Sequence, residues 1–170
     1  MNEPAVMEVP NKTFPMDVRH DYDGNPCSHR KAHNIYGTQM ARATYHGVKR
    51  FAYPKRPFVI TRSAYAGAQR YSSSWTGDNV ASWEHLWIAN IQMQRMSISG
   101  MGFTGSDIGG FAEQPSGELY ARWIQLGVFH PFCRTHSSGD HGDQEPWAFD
   151  EEVTNIIRKF VNLRYQLLPY

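Results

Sequence analysis

Short apolar runs that end in polar residues alternate along this chain with amphipathic stretches of helical period. Residues 58–62, Phe-Val-Ile-Thr-Arg, follow Pro57 and read as a short buried strand. Residues 101–108 read as a second, ending at Asp107, and residues 130–136 as a third, ending at Arg134 and His136. Between and after them the helical period takes over. Trp83, Trp87 and Ile91 recur at i+4 with Ile88 widening the stripe; Leu119, Trp123 and Leu126 mark a helix over 117–129; Val153, Ile156, Ile157, Phe160 and Val161 mark a last one behind Asp150. Strands that alternate with helices predict a parallel α/β sheet with helical crossovers. Such folds carry their sites at the carboxyl ends of the strands, where these polar residues fall. A further strand would end at Met1.

Local signals refine the outline. Residues 5–30 read as a long irregular loop punctuated by Pro10, Pro15, Gly24 and Pro26 and crowded with Asp17, Asp21 and Asp23. A connection of that length inside a compact domain is characteristically functional. A helix is predicted from Asn34 as N-cap, through Tyr36, Met40 and Ala43, to a stop at Gly47. Residues 63–79, rich in Ser, Gly and Ala, read as a loop that carries Trp75 and Asp78 near its end. Ser82 and Asp150 are placed to cap the helices that follow them, and Glu151 and Glu152 suit the dipole of the last one.

Composition excludes several classes of function. Hydrophobic residues make up 41% and charged residues 19%, which marks a globular chain. A net charge of +1 without a dense basic stretch leaves no electrostatic footprint for nucleic acid. No apolar run approaches the roughly 18 residues of a membrane span, and the first residues lack the pattern of a signal peptide. Cys27 and Cys133 are far apart, fit no metal spacing and read as ordinary thiols. Aromatic residues reach 14%. They can fill a core, or offer flat apolar faces to a sugar.

Individual residues carry the candidate chemistry. Asp78, in Ser74-Trp75-Thr76-Gly77-Asp78-Asn79, follows a strand end and precedes a helix, as a general acid or base or as a plain residue favoured by the helix dipole. Asp107 lies in Gly105-Ser106-Asp107-Ile108-Gly109-Gly110-Phe111, where glycines admit a close ligand or simply make a turn. A phosphate loop would need a Lys-Ser/Thr pair that is absent. His20, Asp21, Asp23, His29 and His33, and again His136, Asp140, His141 and Asp143, have metal-ligand chemistry but no standard spacing, so no metal is assigned. No G-x-S-x-G elbow is present for a serine nucleophile. Residues 83, 87, 93 and 96 are assigned to the core.

The ordered set Met1-Asn2-Glu3-Pro4, His33-Asn34-x-Tyr36-Gly37, Arg56-Pro57-Phe58 through Arg62-Ser63, Trp75-Thr76-Gly77-Asp78-Asn79, Ser106 to Phe111 and Phe132 to His136 resembles glycoside hydrolase family 31, the α-glucosidase family, over essentially the whole chain. The resemblance implies a partial (β/α)8 TIM barrel, roughly strands 5–8 with their helices. Residues 1–170 would form the C-terminal half of the catalytic barrel, and 5–30 an active-site loop region. It implies a retaining mechanism on an oligosaccharide or α-glucoside with no cofactor. Asp78 matches the general acid/base. Arg62, Asp107 and His136 match groups that frame the sugar, Trp75 and Phe111 its aromatic lining, and Glu3 and Arg134 supporting positions. The nucleophilic Asp of the family would precede Met1, so a polypeptide of these residues alone is expected to be inactive and to need the N-terminal half of the barrel as partner. An α-glucosyltransferase of the same family and a non-catalytic carbohydrate-binding module are the rival readings.

Overall fold

The structure, a computed structural model, describes residues 3–168. Met1 and Asn2, and with them the strand expected to end at Met1, lie outside the described residues. The chain divides into two compact units, Met1–Ser74 and Trp75–Tyr170.

In the first unit, residues 5–30 are more ordered than a plain loop. Strands β1 (Arg19–His20) and β2 (Cys27–Ser28) pair antiparallel, with Arg19 opposite Ser28. The reversal between them needs three successive positive φ angles, at Tyr22, Asp23 and Gly24. The Asp21 carboxylate supports it by accepting from the Gly24 N–H at 2.9 Å. Helix α1 (His29–Ala32) passes through a 3-10 turn (His33–Ile35) into α2 (Tyr36–Phe51). Asn34 therefore sits inside the 3-10 turn instead of capping α2, because preceding turns already supply carbonyl partners. Gly47 does not stop the helix either. A glycine costs a helix interior only about 1 kcal/mol, and the chain leaves α2 at Phe51, ahead of Pro54. Strand β3 (Ile60–Thr61) pairs parallel with β4 (Ser73–Trp75), Ile60 beside Ser73. The stretch 63–79 thus holds a 3-10 turn (Ala68–Arg70) and a strand as well as loop. Gly37 lets α2 approach the strand end, since a Cβ there would overlap Ser63.

The second unit runs α3 (Trp83–Ile98), β5 (Thr104–Gly105), β6 (Asp107–Ile108), α4 (Gly117–Gly127), β7 (Arg134–Thr135), a 3-10 turn (Pro146–Ala148) and α5 (Glu151–Leu167). Ser82 caps α3 by accepting from the His85 N–H, and Asp150 caps α5 by accepting from the Val153 N–H, as their positions predict. Strands β6 and β7 are parallel, with Asp107 beside Arg134 and Ile108 beside Thr135. Ile108 and the α4 residues Leu119, Tyr120, Trp123 and Ile124 form the core with Val153 and Ile157 of α5. Each such side chain stabilises by about 1.5–3 kcal/mol when fully buried.

Helix α3 departs from expectation. Ala89 and Met93 are its buried residues, whereas Trp83 and Trp87 are 52% and 64% exposed. Apolar residues surround most of this helix, so period alone does not select a face, and the small Ala89 permits the closer approach. No closed barrel forms among the described residues, and none of their helices is long and apolar enough to cross a membrane.

Candidate active site

Three segments in the second unit follow parallel strands and carry the predicted residues. Trp75 ends β4 and opens a loop in which Gly77 adopts φ +83°. The Thr76 hydroxyl donates to Asn79 Oδ1 at 2.5 Å, and this short tie displays Asp78 between them, exposed to solvent. In the next segment Asp107 is fully buried, and Gly109 and Gly110 follow at φ +91° and +92°. A side chain at Gly110 would strike the backbone of Ala81, so the first two loops pack too closely for any other residue there. The Asn79 carbonyl accepts from the N–H groups of Phe111 (2.7 Å) and Ala112 (3.0 Å), which laces them together. The third segment brings Arg134 and His136.

Arg134 is the hub. Its Nη2 donates to Asp107 Oδ1 at 2.5 Å, and its guanidinium lies 5.6 Å from the centre of the Trp75 ring. Phe111 and His136 face one another with ring centres 5.5 Å apart. Burial pushes the Asp107 carboxyl above its usual range. The hydrogen bond and charge of Arg134 and the charge of His136 oppose that rise, and the charge of Asp78 adds to it. Asp107 Oδ2, Arg134 Nε and Trp75 Nε1 are buried without a hydrogen-bond partner among the described residues. Each is an unmet hydrogen-bonding capacity, and an unmet buried group costs about 1–3 kcal/mol.

In the first unit, Arg62 forms an ion pair with Glu3. Burial would raise the Glu3 carboxyl, but the hydrogen bond and charge of Arg62 outweigh it and hold the group below its usual range. The structure thus groups Trp75, Asp78, Asp107, Phe111, Arg134 and His136 within one unit and pairs Arg62 with Glu3 in the other.

The metal-ligand candidates resolve into other roles. His20 Nε2 lies 2.9 Å from His29 Nδ1, and His29 Nε2 lies 2.8 Å from His33 Nδ1, a chain of imidazoles around the fully buried His29. Burial, and then the charges of His33 and His20, lower the affinity of His29 for a proton. Asp23 pairs with Arg42 at 2.6 Å. Asp140, His141 and Asp143 are exposed. No three His, Cys, Asp or Glu among the described residues could hold a metal ion. Cys27 and Cys133 are free thiols.

Sequence reasoning missed the supports beneath the site. Trp123 Nε1 donates to Ser106 Oγ at 3.0 Å, and the Tyr120 hydroxyl meets Thr135 Oγ1 at 3.0 Å. Helix α4 therefore holds the residue before Asp107 and the residue between Arg134 and His136. Ser138 N–H donates to the Phe111 carbonyl, and Gln144 Nε2 to that of Gly110. A core aromatic and a lone loop amide give no sequence signal of such duties.

The model of the glycosyl hydrolases family 31 TIM-barrel domain matches residues 1–170. Alpha-glucosidase 2 of Bacillus thermoamyloliquefaciens is 48% identical over 100% of this chain and 22% of its own length. Glucosidase 2 subunit alpha of Saccharomyces cerevisiae is 46% identical over 99% of this chain and 18% of its own length. The crystal structure of a Tris-bound glucosidase II alpha subunit superposes with a TM-score of 0.92 at 41% identity, covering 99% of this chain and 18% of that one. The chain spans about a fifth of the length of these curated relatives. With strand-end carboxylates, a guanidinium hub and a family match that runs from the first residue to the last, the chain belongs to glycoside hydrolase family 31, in its TIM-barrel domain.

Proposed function

We propose that this chain supplies strands 5–8 of a (β/α)8 barrel, the C-terminal half of the catalytic domain of a retaining α-glucosidase, with residues 5–30 as an active-site loop. Asp78 is the general acid/base. It protonates the glycosidic oxygen as the bond breaks, then takes a proton from the water that releases the sugar. Arg62, Trp75, Asp107, Phe111 and His136 bind and frame the glucose, with Glu3 and Arg134 holding Arg62 and Asp107 in place. The names of the relatives, α-glucosidases and a glucosidase alpha subunit, support the substrate class.

The observation that carries this reading is the set of buried, unpartnered polar atoms at Asp107, Arg134 and Trp75 beside an exposed Asp78. A sugar presents hydroxyls to the polar atoms and an apolar face to the ring. Retention needs a second carboxyl about 5–5.5 Å from the first. Glu3 and Asp107 are given supporting and sugar-binding roles in this reading, held by Arg62 and Arg134, so the second carboxyl is not among the residues assigned here. A polypeptide of these 170 residues alone is therefore expected to show no turnover. The test is Asp78→Ala in the protein as its cell makes it, assayed on maltose and on an aryl α-glucoside with a good leaving group. Maltose hydrolysis should fall by about 10²–10⁴-fold. The first step on the aryl substrate should fall far less, because its leaving group needs little protonation. An unchanged maltose rate would overturn the assignment.

A further inference from the structure

Gln144 is 5% exposed, although it sits in a loop whose neighbours Asp143 and Glu145 are exposed. A buried amide in an otherwise solvated loop calls for a reason. Its Nε2 donates to the Gly110 carbonyl at 3.1 Å. Its Oε1 has no hydrogen-bond partner among the described residues and lies where a Cβ on Gly109 would be, 2.7 Å from that position. The amide is therefore packed against the two glycines that turn the chain between Asp107 and Phe111. Two more bonds join the same segments: Ser138 N–H to the Phe111 carbonyl at 2.9 Å, and Gln114 Nε2 to the Asp143 carbonyl at 3.2 Å. Of these three ties, Gln144 supplies the buried one.

We infer that Gln144 is a positioning residue that clamps the loop after β7 onto the Gly109–Gly110 turn and so keeps Phe111 against His136 in the sugar subsite. This rests on the function proposed above. Gln144 touches no reacting group in that scheme. Its effect runs through the fraction of molecules in which the two loops are already joined. When the competent state is populated by a fraction f, the apparent dissociation constant rises by 1/f. A neutral hydrogen bond worth about 1 kcal/mol corresponds to about fivefold in the equilibrium between joined and parted loops, which caps the change in f at about fivefold. Bound sugar restores the joined state, so kcat is spared while KM rises.

The test compares wild type, Gln144→Leu and Gln144→Glu, each in the protein as its cell makes it, on an aryl α-glucoside. Gln144→Leu should raise KM measurably, by at most about fivefold, with kcat within twofold and no shift in the pH optimum. Gln144→Glu keeps the shape but sets a carboxylate against the Gly110 carbonyl at neutral pH, and its protonated form can donate again. Its KM relative to wild type should be high at pH 7.5 and return toward one as the pH falls to 5. It also keeps the proposal open to refutation if the leucine variant does not fold. A stabilising role alone would lower Tm and leave KM and its pH dependence unmoved, and that result overturns the clamp. Amide hydrogen exchange supplies a readout without substrate. Exchange at Ser138 should quicken in Gln144→Leu while α4 stays protected; unchanged protection at Ser138 also overturns the clamp. If wild type itself fails to hydrolyse the glucoside, the α-glucosidase reading falls, and the exchange result still judges the clamp.

Discussion

Lowering the pH should unfold this protein partly through one histidine outside the site. His130 is 4% exposed, and neither ring nitrogen has a hydrogen-bond partner among the described residues. Burial first, and then the charge of Arg164, push its pKa down from 6.5 to about 4. Arg164 is held in place by the carbonyls of Val128 and His130, each at 2.7 Å, so the cation cannot readily withdraw. The folded protein therefore keeps His130 neutral where the unfolded chain would protonate it. Between pH 6.5 and about 4 the unfolded state binds more protons. The stability present above pH 6.5 is thus lost as the pH falls, and the loss levels off below about 4. At 1.36 kcal/mol per pH unit the full effect is about 3 kcal/mol. His130→Leu removes the titration and both unpaired nitrogens. At pH 7.5 the variant should lie within about 1 kcal/mol of wild type, since exchanging an unpaired polar group for an apolar one of similar size costs little. By pH 4 it should be the more stable by about 3 kcal/mol. Asp107, whose carboxyl is raised, works in the opposite direction and stabilises as the pH falls, but it is common to both proteins and cancels in the difference. Urea unfolding followed by tryptophan fluorescence at pH 7.5, 6, 5 and 4 measures the gap. Stability curves that stay parallel across this range would refute the reasoning.

Arg134→Leu should destabilise by about 3 kcal/mol, because it leaves the Asp107 carboxylate buried without its partner, and it should drive that carboxyl further up; urea midpoints and carboxyl titration by NMR check both. Gly105→Ala should prevent stable folding, since its Cβ would overlap the Phe132 carbonyl in the neighbouring segment; soluble yield and Tm report it, and a Tm within a few degrees of wild type would count against the packing. Asp150→Ala should cost about 1 kcal/mol through loss of the α5 cap, with Asp150→Asn retaining most of it.

The register of the parallel pairs explains why the site was only half legible beforehand. Asp107 and Arg134 could each be picked out as strand-end polar residues, yet nothing local says that they meet. They stand 27 positions apart and are joined because β6 and β7 align Asp107 with Arg134. A slip of one residue would turn every side chain on the strand to the other face. Asp78 and His136 stand out by position at strand ends and again within the family-like motifs. Gln144 does not, because an isolated glutamine in a polar loop looks the same whether it is buried or solvated. His130 was passed over for a similar reason, as its pKa depends on what surrounds it and not on its neighbours in the chain.

The alternation of strands and helices, the Ser82 and Asp150 caps and the apolar faces of α4 and α5 could be read from the residues, since period and capping act within a few positions of the chain. The tryptophan face of α3, the run of α2 past Gly47 and the hairpin within residues 5–30 could not, because each depends on what packs or pairs with it. The same holds for the pairing of Asp107 with Arg134 and for the tie from Gln144 to Gly110. Those contacts join residues far apart in the chain, and long-range geometry exists only once the chain has folded.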